Sequence, residues 1–183
     1  MTNKITRREI INLALSSPLL AAVPMLGRAQ EGLTKLDQRS VASAPSLVVP
    51  AKADEAVNDI KQIALVRRWR GSLCQLRLSN RGKKPVRVKE VVLFDLKLAL
   101  PAATRLYGEG FQMLSQTDGT LSQPHDLGNY TDAKHYKIPQ PEGARAFYGL
   151  LTLSSDGNNA MLAFTSSRRF SGYFRLHGSS LQV

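Results

Sequence analysis

The sequence predicts an all-β protein built as an antiparallel sandwich, and three observations lead to it. Apolar residues recur with a period of two from about residue 57 onward, turn residues separate the alternating runs, and no capped helix of ordinary length is visible after residue 29. Cys74, Leu76 and Leu78 alternate with Gln75, Arg77 and Ser79, a half-buried strand that ends at the turn Asn80-Arg81-Gly82. Val86 and Val88 then alternate with Arg87 and Lys89. The phase slips near Glu90, before Val91-Val92-Leu93-Phe94, which predicts a bulge or a strand covered on both faces. Residues 148–153 form an apolar run, residues 155–159 (Ser-Asp-Gly-Asn-Asn) read as a hairpin loop, and Ala160, Leu162 and Phe164 resume the alternation. Further on, Phe170, Gly172, Phe174 and Leu176 fall on one face, and Tyr173, Arg175 and His177 on the other. Leu181-Gln182-Val183 follows directly on a strand, so a bare sheet edge is expected there. Leu151, Leu153, Leu162, Phe164 and Phe174 would then await strands from a continuation of the chain.

A length of 183 residues has room for one ordinary domain plus extras, and 43% hydrophobic with 21% charged residues is a globular composition. The formal net charge of +11 raises the question of nucleic acid. The basic residues are scattered, however, apart from pairs such as Arg67-Arg68, Lys83-Lys84 and Arg168-Arg169, and no nucleic-acid-binding signature accompanies them. The charge reads as a solvated basic face. A single cysteine, Cys74, rules out an intrachain disulfide and a cysteine-built zinc site; within an apolar alternation it reads as a small buried hydrophobe.

Residues 1–29 read as a removable signal peptide. Lys4, Arg7 and Arg8 make a positive start, residues 10–26 are modestly apolar and broken by Ser16-Ser17-Pro18 and Pro24, and Gly27-Arg28-Ala29 places small residues for cleavage after Ala29. The stretch is too short and too interrupted for a stable membrane span. Thr6-Arg7-Arg8-Glu9-Ile10-Ile11-Asn12 resembles the twin-arginine export signal, with Arg7 and Arg8 as its core, so the export machinery is an expected partner and the mature chain is expected in the periplasm or outside the cell. Residues 30–55, with Pro45, Pro50 and several Ser and Ala, read as a linker or N-terminal arm, and residues 56–183 as the sandwich.

Residues 106–136 differ from the rest. They mix Tyr107, Phe111, Tyr130 and Tyr136 with Glu109, Asp118, Asp126, Asp132, His125 and His135, the composition of a loop-rich insertion able to carry function. A glycosidase acid pair needs two carboxylates about 5–10 Å apart across a cleft, and spacing alone does not place Glu109 beside Asp132. His125, His135 and Asp132 match no metal-ligand spacing, so Asp132 and His135 are expected to tie down the loop by hydrogen bonds. Gly-x-Ser-x-Gly, phosphate-loop and dinucleotide patterns are all missing, and no cofactor is implied. Aromatic rings among polar groups suit a carbohydrate, with Trp69, Tyr107, Tyr130 and Tyr136 as stacking candidates; buried packing is the alternative for each.

The run Arg105-Leu106-Tyr107-Gly108-Glu109-Gly110-Phe111-Gln112-Met113-Leu114, then Asp126-Leu127-Gly128-Asn129-Tyr130-Thr131-Asp132 and His135-Tyr136, resembles the N-terminal β-sandwich region of glycoside hydrolase family 36, the α-galactosidase (melibiase) and raffinose-synthase family. Tyr148-Gly149-Leu150-Leu151 and the stretch from Phe164 through Arg168-Arg169 to Gly172 are similar to the same region, so the resemblance spans roughly residues 57–176. It implies a supersandwich that precedes a (β/α)₈ barrel, where two aspartates would carry out retaining hydrolysis of α-galactosides. The matched motifs carry no catalytic residue over to this chain, which is expected to be a fragment, inactive alone. The family's N-terminal region shapes the active-site rim and contributes to subunit contacts. The resemblance therefore points to Asn129, Tyr130, Asp132, His135 and Tyr136 as rim or carbohydrate residues, and to a homo-oligomer. The competing expectation is a free-standing periplasmic carbohydrate-binding or scaffold protein.

Overall fold

The computed structural model describes residues 36–51, 61–138, 142–155, 157–166 and 170–183, and the main chain of residues 9–16. It is an all-β, sandwich-like fold. The larger sheet has eight strands in the order β3 (Ile63–Arg70), β4 (Leu73–Asn80), β1 (Glu9–Ser16), β12 (Asn158–Phe164), β11 (Leu150–Ser155), β7 (Arg105–Glu109), β8 (Gln116–Gly119) and β9 (Pro124–Leu127). A four-stranded sheet runs β10 (Ala144–Tyr148), β13 (Tyr173–His177), β14 (Ser180–Gln182), β6 (Asp95–Lys97), and β2 (Leu47–Pro50) pairs with β5 (Val88–Val92).

Local sequence explains the hairpins. Arg70 pairs with Leu73 across the two-residue turn Gly71-Ser72, where Gly71 takes φ +54°, a conformation that costs glycine nothing and matches the twist of the flanking strands. Alternation then assigns the faces. Cys74 and Leu76 of β4, Leu106 of β7, Leu151 and Leu153 of β11 and Leu162 of β12 meet Leu96, Phe147, Phe174 and Leu181 of the smaller sheet in one shared core. Each large side chain removed from water there is worth about 1.5–3 kcal/mol. Ile63, Leu78, Val86 and Val88 form a second cluster beneath β2 and β5. The phase slip near Glu90 is a register shift: Val49 faces Glu90, but Pro50 faces Val88, so Lys89 is the extra residue. Proline, which lacks a ladder donor, sits where the ladder is already interrupted.

Of the two readings of residues 30–55, the described part, 36–51, follows the arm. Asp37 caps a short helix, α1 (Gln38–Ser43), by accepting from the Ser40 N–H at 2.9 Å, while Leu36, Val41 and Ala44 enter the core and β2 joins β5. The expectation of a bare edge is corrected: the last strand is not an edge. β14 lies between β13 and β6, and Val183 exchanges main-chain bonds with Phe94, its N–H donating to the Phe94 carbonyl at 3.0 Å while its own carbonyl accepts from Leu93 at 2.6 Å. Leu151, Leu153, Leu162 and Phe174 are buried accordingly, and Phe164 is half-buried. Strand β6, more than eighty residues upstream, supplies the cover, a pairing that no local pattern announces.

Arg7, Arg8 and Ala29 lie outside the described residues, as do the stretches 17–35 and 52–60. Part of the apolar run 10–26 is β1, inside the larger sheet. Among the described residues no helix is long and apolar enough to cross a membrane.

Candidate functional site

Residues 106–136, expected to be a loop-rich insertion, instead give β7, β8 and β9 to the larger sheet, with irregular segments after β7 and after β9. The chain turns at Gly110, makes a 3-10 turn at Phe111–Met113, forms the β8–β9 hairpin, and passes Asn129 and Tyr130 into a single helical turn, α2 (Asp132–His135). Thr131 caps α2, its hydroxyl accepting from the Lys134 N–H at 3.3 Å. That cap turns Asp132 inward, where it is 3% exposed. Its carboxylate accepts the Phe111 N–H at 3.0 and 3.1 Å and the Ser115 hydroxyl, so one side chain fastens the 3-10 turn, the following loop and α2 together. Gly110 is the residue that permits this approach: a Cβ there would lie 1.7 Å from the Ser115 hydroxyl and 2.6 Å from the Asp132 carboxylate. The expectation that Asp132 ties down the loop describes what it does; His135 contributes its ring.

The rings form a continuous series. Tyr130 packs against His135 at 4.4 Å between centroids with the ring planes tilted by 44°, His135 approaches Tyr136 at 6.5 Å, Tyr136 meets Phe111 edge-on at 5.2 Å, Phe111 meets Tyr148 at 5.6 Å, and Tyr148 meets Tyr173 at 5.7 Å. The outer end is open to solvent: Tyr130 is 50% exposed, and Met113 and Leu114 are exposed beside Gln112. The Tyr136 hydroxyl donates to Gln112 Oε1 at 3.3 Å. Gln112, Met113 and Lys137 hold φ of 58°, 59° and 54°, and these non-glycine residues in left-handed backbone all belong to this end of the molecule. Each such residue costs about 1–3 kcal/mol, a strain that persists only where surrounding contacts over-determine it, as at ligand clamps.

The inner end is polar and tightly paired. Tyr173 donates to Glu90, Arg175 pairs with Glu90 at 2.7 Å and donates to the Tyr173 hydroxyl, and the knot joins β5 to β13. Burial, then the Glu90 hydrogen bond and charge, push the Tyr173 phenol up to about 12, with Arg175 opposing. Tyr148 is raised first by burial and then by the Asp132 charge. Between β8, β9 and β10 lies a cleft of about 220 Å³ lined by Ser115, Thr117, Asp126, Asp132, Arg145 and Phe147. Arg145 pairs with Asp126 at 2.5 Å, and the Thr117 hydroxyl donates to the same carboxylate at 2.8 Å.

Each of the four acids singled out from sequence therefore has a local partner. Glu109 stands beside Tyr107 on one face of β7 and raises its phenol pKa after burial does, Asp118 pairs with His125 at 3.0 Å across the β8–β9 hairpin, Asp126 holds Arg145, and Asp132 holds Phe111 and Ser115. His125, His135 and Asp132 do not converge, and among the described residues no group of three His, Cys, Asp or Glu could hold a metal ion. Trp69 is elsewhere, half-buried on β3 at 6.1 Å from Phe94. Tyr107 is in mid-sheet and outside the ring series. Sequence reasoning brought Tyr130, Asp132, His135 and Tyr136 into one site with exposed Asn129 beside them. It missed Ser115, in the loop before β8, and Arg145, Tyr148, Tyr173, Glu90 and Arg175, which come from strands distant in sequence.

Fold and site together define an all-β, sandwich-like protein with a strained aromatic rim fastened by a buried aspartate. Comparison with protein-family models, with curated proteins and with solved structures finds no match.

Proposed function

We propose that this chain is the N-terminal, non-catalytic module of an exported α-galactosidase-like glycoside hydrolase, shaping access of α-galactosides to a catalytic domain supplied by a barrel. The observation that carries the reading is the rim: Tyr130, His135 and Tyr136 present a cluster of tilted and edge-on rings at an open end, held in advance by Asp132 and by strained backbone at Gln112 and Met113. Rings beside amide and hydroxyl groups are what a sugar face and its hydroxyls require. The four acids are each engaged with a local partner, Asp126 with Arg145 and Asp132 with Phe111 and Ser115 even where both line the cleft, which favours positioning over general acid–base chemistry. The family resemblance of residues 105–136 supplies the substrate class, and Arg7-Arg8 with the apolar stretch behind them supports export.

The test is titration of the purified chain with melibiose, followed by NMR, alongside an assay with p-nitrophenyl α-galactoside. We expect shifts confined to Tyr130, His135 and Tyr136 and no turnover. Turnover abolished by Glu109→Gln or Asp132→Asn would overturn the non-catalytic assignment, and absence of any shift at the rim would remove the carbohydrate role.

A further inference from the structure

Strand β1 enters the larger sheet out of chain order. It runs antiparallel to both neighbours, six of its residues in register with β4 and four with β12. Leu13 is paired on both sides, with Cys74 and Phe164, and so is Ala14, with Leu73 and Ala163. Ile11 stands opposite Leu76 and Leu15 opposite Leu162, both at the centre of the core with 0% and 1% exposure.

The flanking strands are already paired on their other sides, β4 with β3 and β12 with β11, each through a hairpin with its own turn. Among the described residues β4 and β12 do not pair with each other. Without β1 they would stand two strand spacings apart, about 10 Å, each presenting an unpaired row of N–H and C=O groups. The same gap would lead water to Cys74, Leu76 and Leu162. The sheet is thus two blocks, the β3–β4 hairpin and the five strands from β12 to β9, with a place for one strand between them.

We propose that the space between β4 and β12 is a strand-binding slot, and that residues 9–16 of this same chain are its ligand, held by backbone pairing and able to bind in trans once the covalent connection is cut. Recognition is β-augmentation on two edges at once: main-chain bonds to both flanks supply affinity, and register opposite the buried residues supplies selectivity. The segment Glu-Ile-Ile-Asn-Leu-Ala-Leu-Ser suits the task, with apolar residues at the alternate positions 11, 13 and 15 and no proline to interrupt either ladder. The proposal stands independently of whether the segment also serves as an export signal, since that role is read from transport of Arg7→Lys/Arg8→Lys and this one from the purified chain.

The experiment starts from the full chain with a site-specific protease site inserted between Ala29 and Gln30. After cutting and removal of the 1–29 fragment by gel filtration, a fluorescein-labelled peptide of residues 7–18 is added. We expect the stripped chain to melt at lower temperature than the uncut chain, to bind the peptide one to one, and to regain its melting temperature. The peptide with Leu13→Pro should bind at least tenfold more weakly, and the uncut chain should bind tenfold less than the stripped one. An unchanged melting temperature after stripping, or equal binding of the Leu13→Pro peptide, would overturn the slot. If the stripped chain precipitates, the reading is the yield of soluble protein on refolding with each peptide: recovery with the native peptide alone supports the slot, and equal recovery with both overturns it.

Discussion

Around Cys74, Leu76 and Leu162 the molecule is held by many apolar contacts of similar worth, whereas around Phe111 and α2 it is held by one carboxylate and a series of rings. In the first region a neighbour can relax into lost volume, and the cost of a change follows area and cavity. In the second, the Phe111 N–H and the Ser115 hydroxyl depend on the same oxygens, so losing Asp132 releases three segments at once. The contrast separates a core in which a lost side chain costs stability of the whole fold from a rim that is ordered by a single fastening.

The largest expected effect is in the core. Leu76→Ala should cost about 2–5 kcal/mol, read as a shift in the urea midpoint of the whole chain, with rim chemical shifts unaltered until global unfolding. Rim disorder preceding that transition would show that the two regions are not independently held. Next is Asp132→Ala, which leaves two donors without their acceptor and should cost about 1–3 kcal/mol. The contrast predicts that most of this loss is local, seen as fast hydrogen exchange at Phe111 and loss of the Tyr136–Phe111 contact while core amides stay protected. Equal loss of protection in β4 and β12 would erase the distinction.

The smallest effect concerns alkaline pH. The Tyr173 phenol is raised from 10.0 to about 12, so between these values the unfolded chain has lost a proton that the folded chain keeps, and stability falls as pH rises. The buried Cys74 thiol, raised by desolvation from 9.0 to about 11 with Arg67 opposing, adds a fall with the same sign that begins lower. Tyr173→Phe should remove the upper part of the slope, worth about 1 kcal/mol at pH 11 after allowance for partial exposure, and leave the part below pH 10 in place. Melting temperatures measured from pH 8 to 11.5 decide this; identical slopes in the two proteins would mean that the Glu90–Tyr173–Arg175 knot does not titrate with folding.

How much of this was legible follows from the range of each signal. The alternation of Cys74, Leu76 and Leu78, the slip at Glu90 and the hairpin after Ser155 are local and were read from sequence. The composition of residues 106–136 was also read from sequence, but its three strands were not, because aromatic and acidic residues with turn glycines give β7, β8 and β9 no apolar alternation to recognise. The docking of α1 was not, since prolines and serines around it mask three core residues, Leu36, Val41 and Ala44. The pairing of β14 with β6, the arrival of Arg145 in the cleft and that of Tyr148 and Tyr173 in the ring series depend on strand order, which alternation does not encode. The place of β1 was missed for a further reason: an apolar stretch behind two arginines reads as a leader, and the same residues satisfy a strand.

The ring series also divides the molecule optically. Four of its five tyrosines, at 130, 136, 148 and 173, lie along one line of contacts from the rim to the Glu90 knot. The single tryptophan, Trp69, is on the opposite edge of the larger sheet against Phe94, whose ring also carries the Arg67 guanidinium at 4.9 Å. Tyrosine and tryptophan emission therefore originate in different structural neighbourhoods. Depolarisation of the tyrosine signal by exchange of excitation between adjacent rings would follow the rim, while the tryptophan spectrum follows the β3–β4 hairpin that flanks the slot. Loosening of either region can be timed in the unlabelled protein, by colour alone.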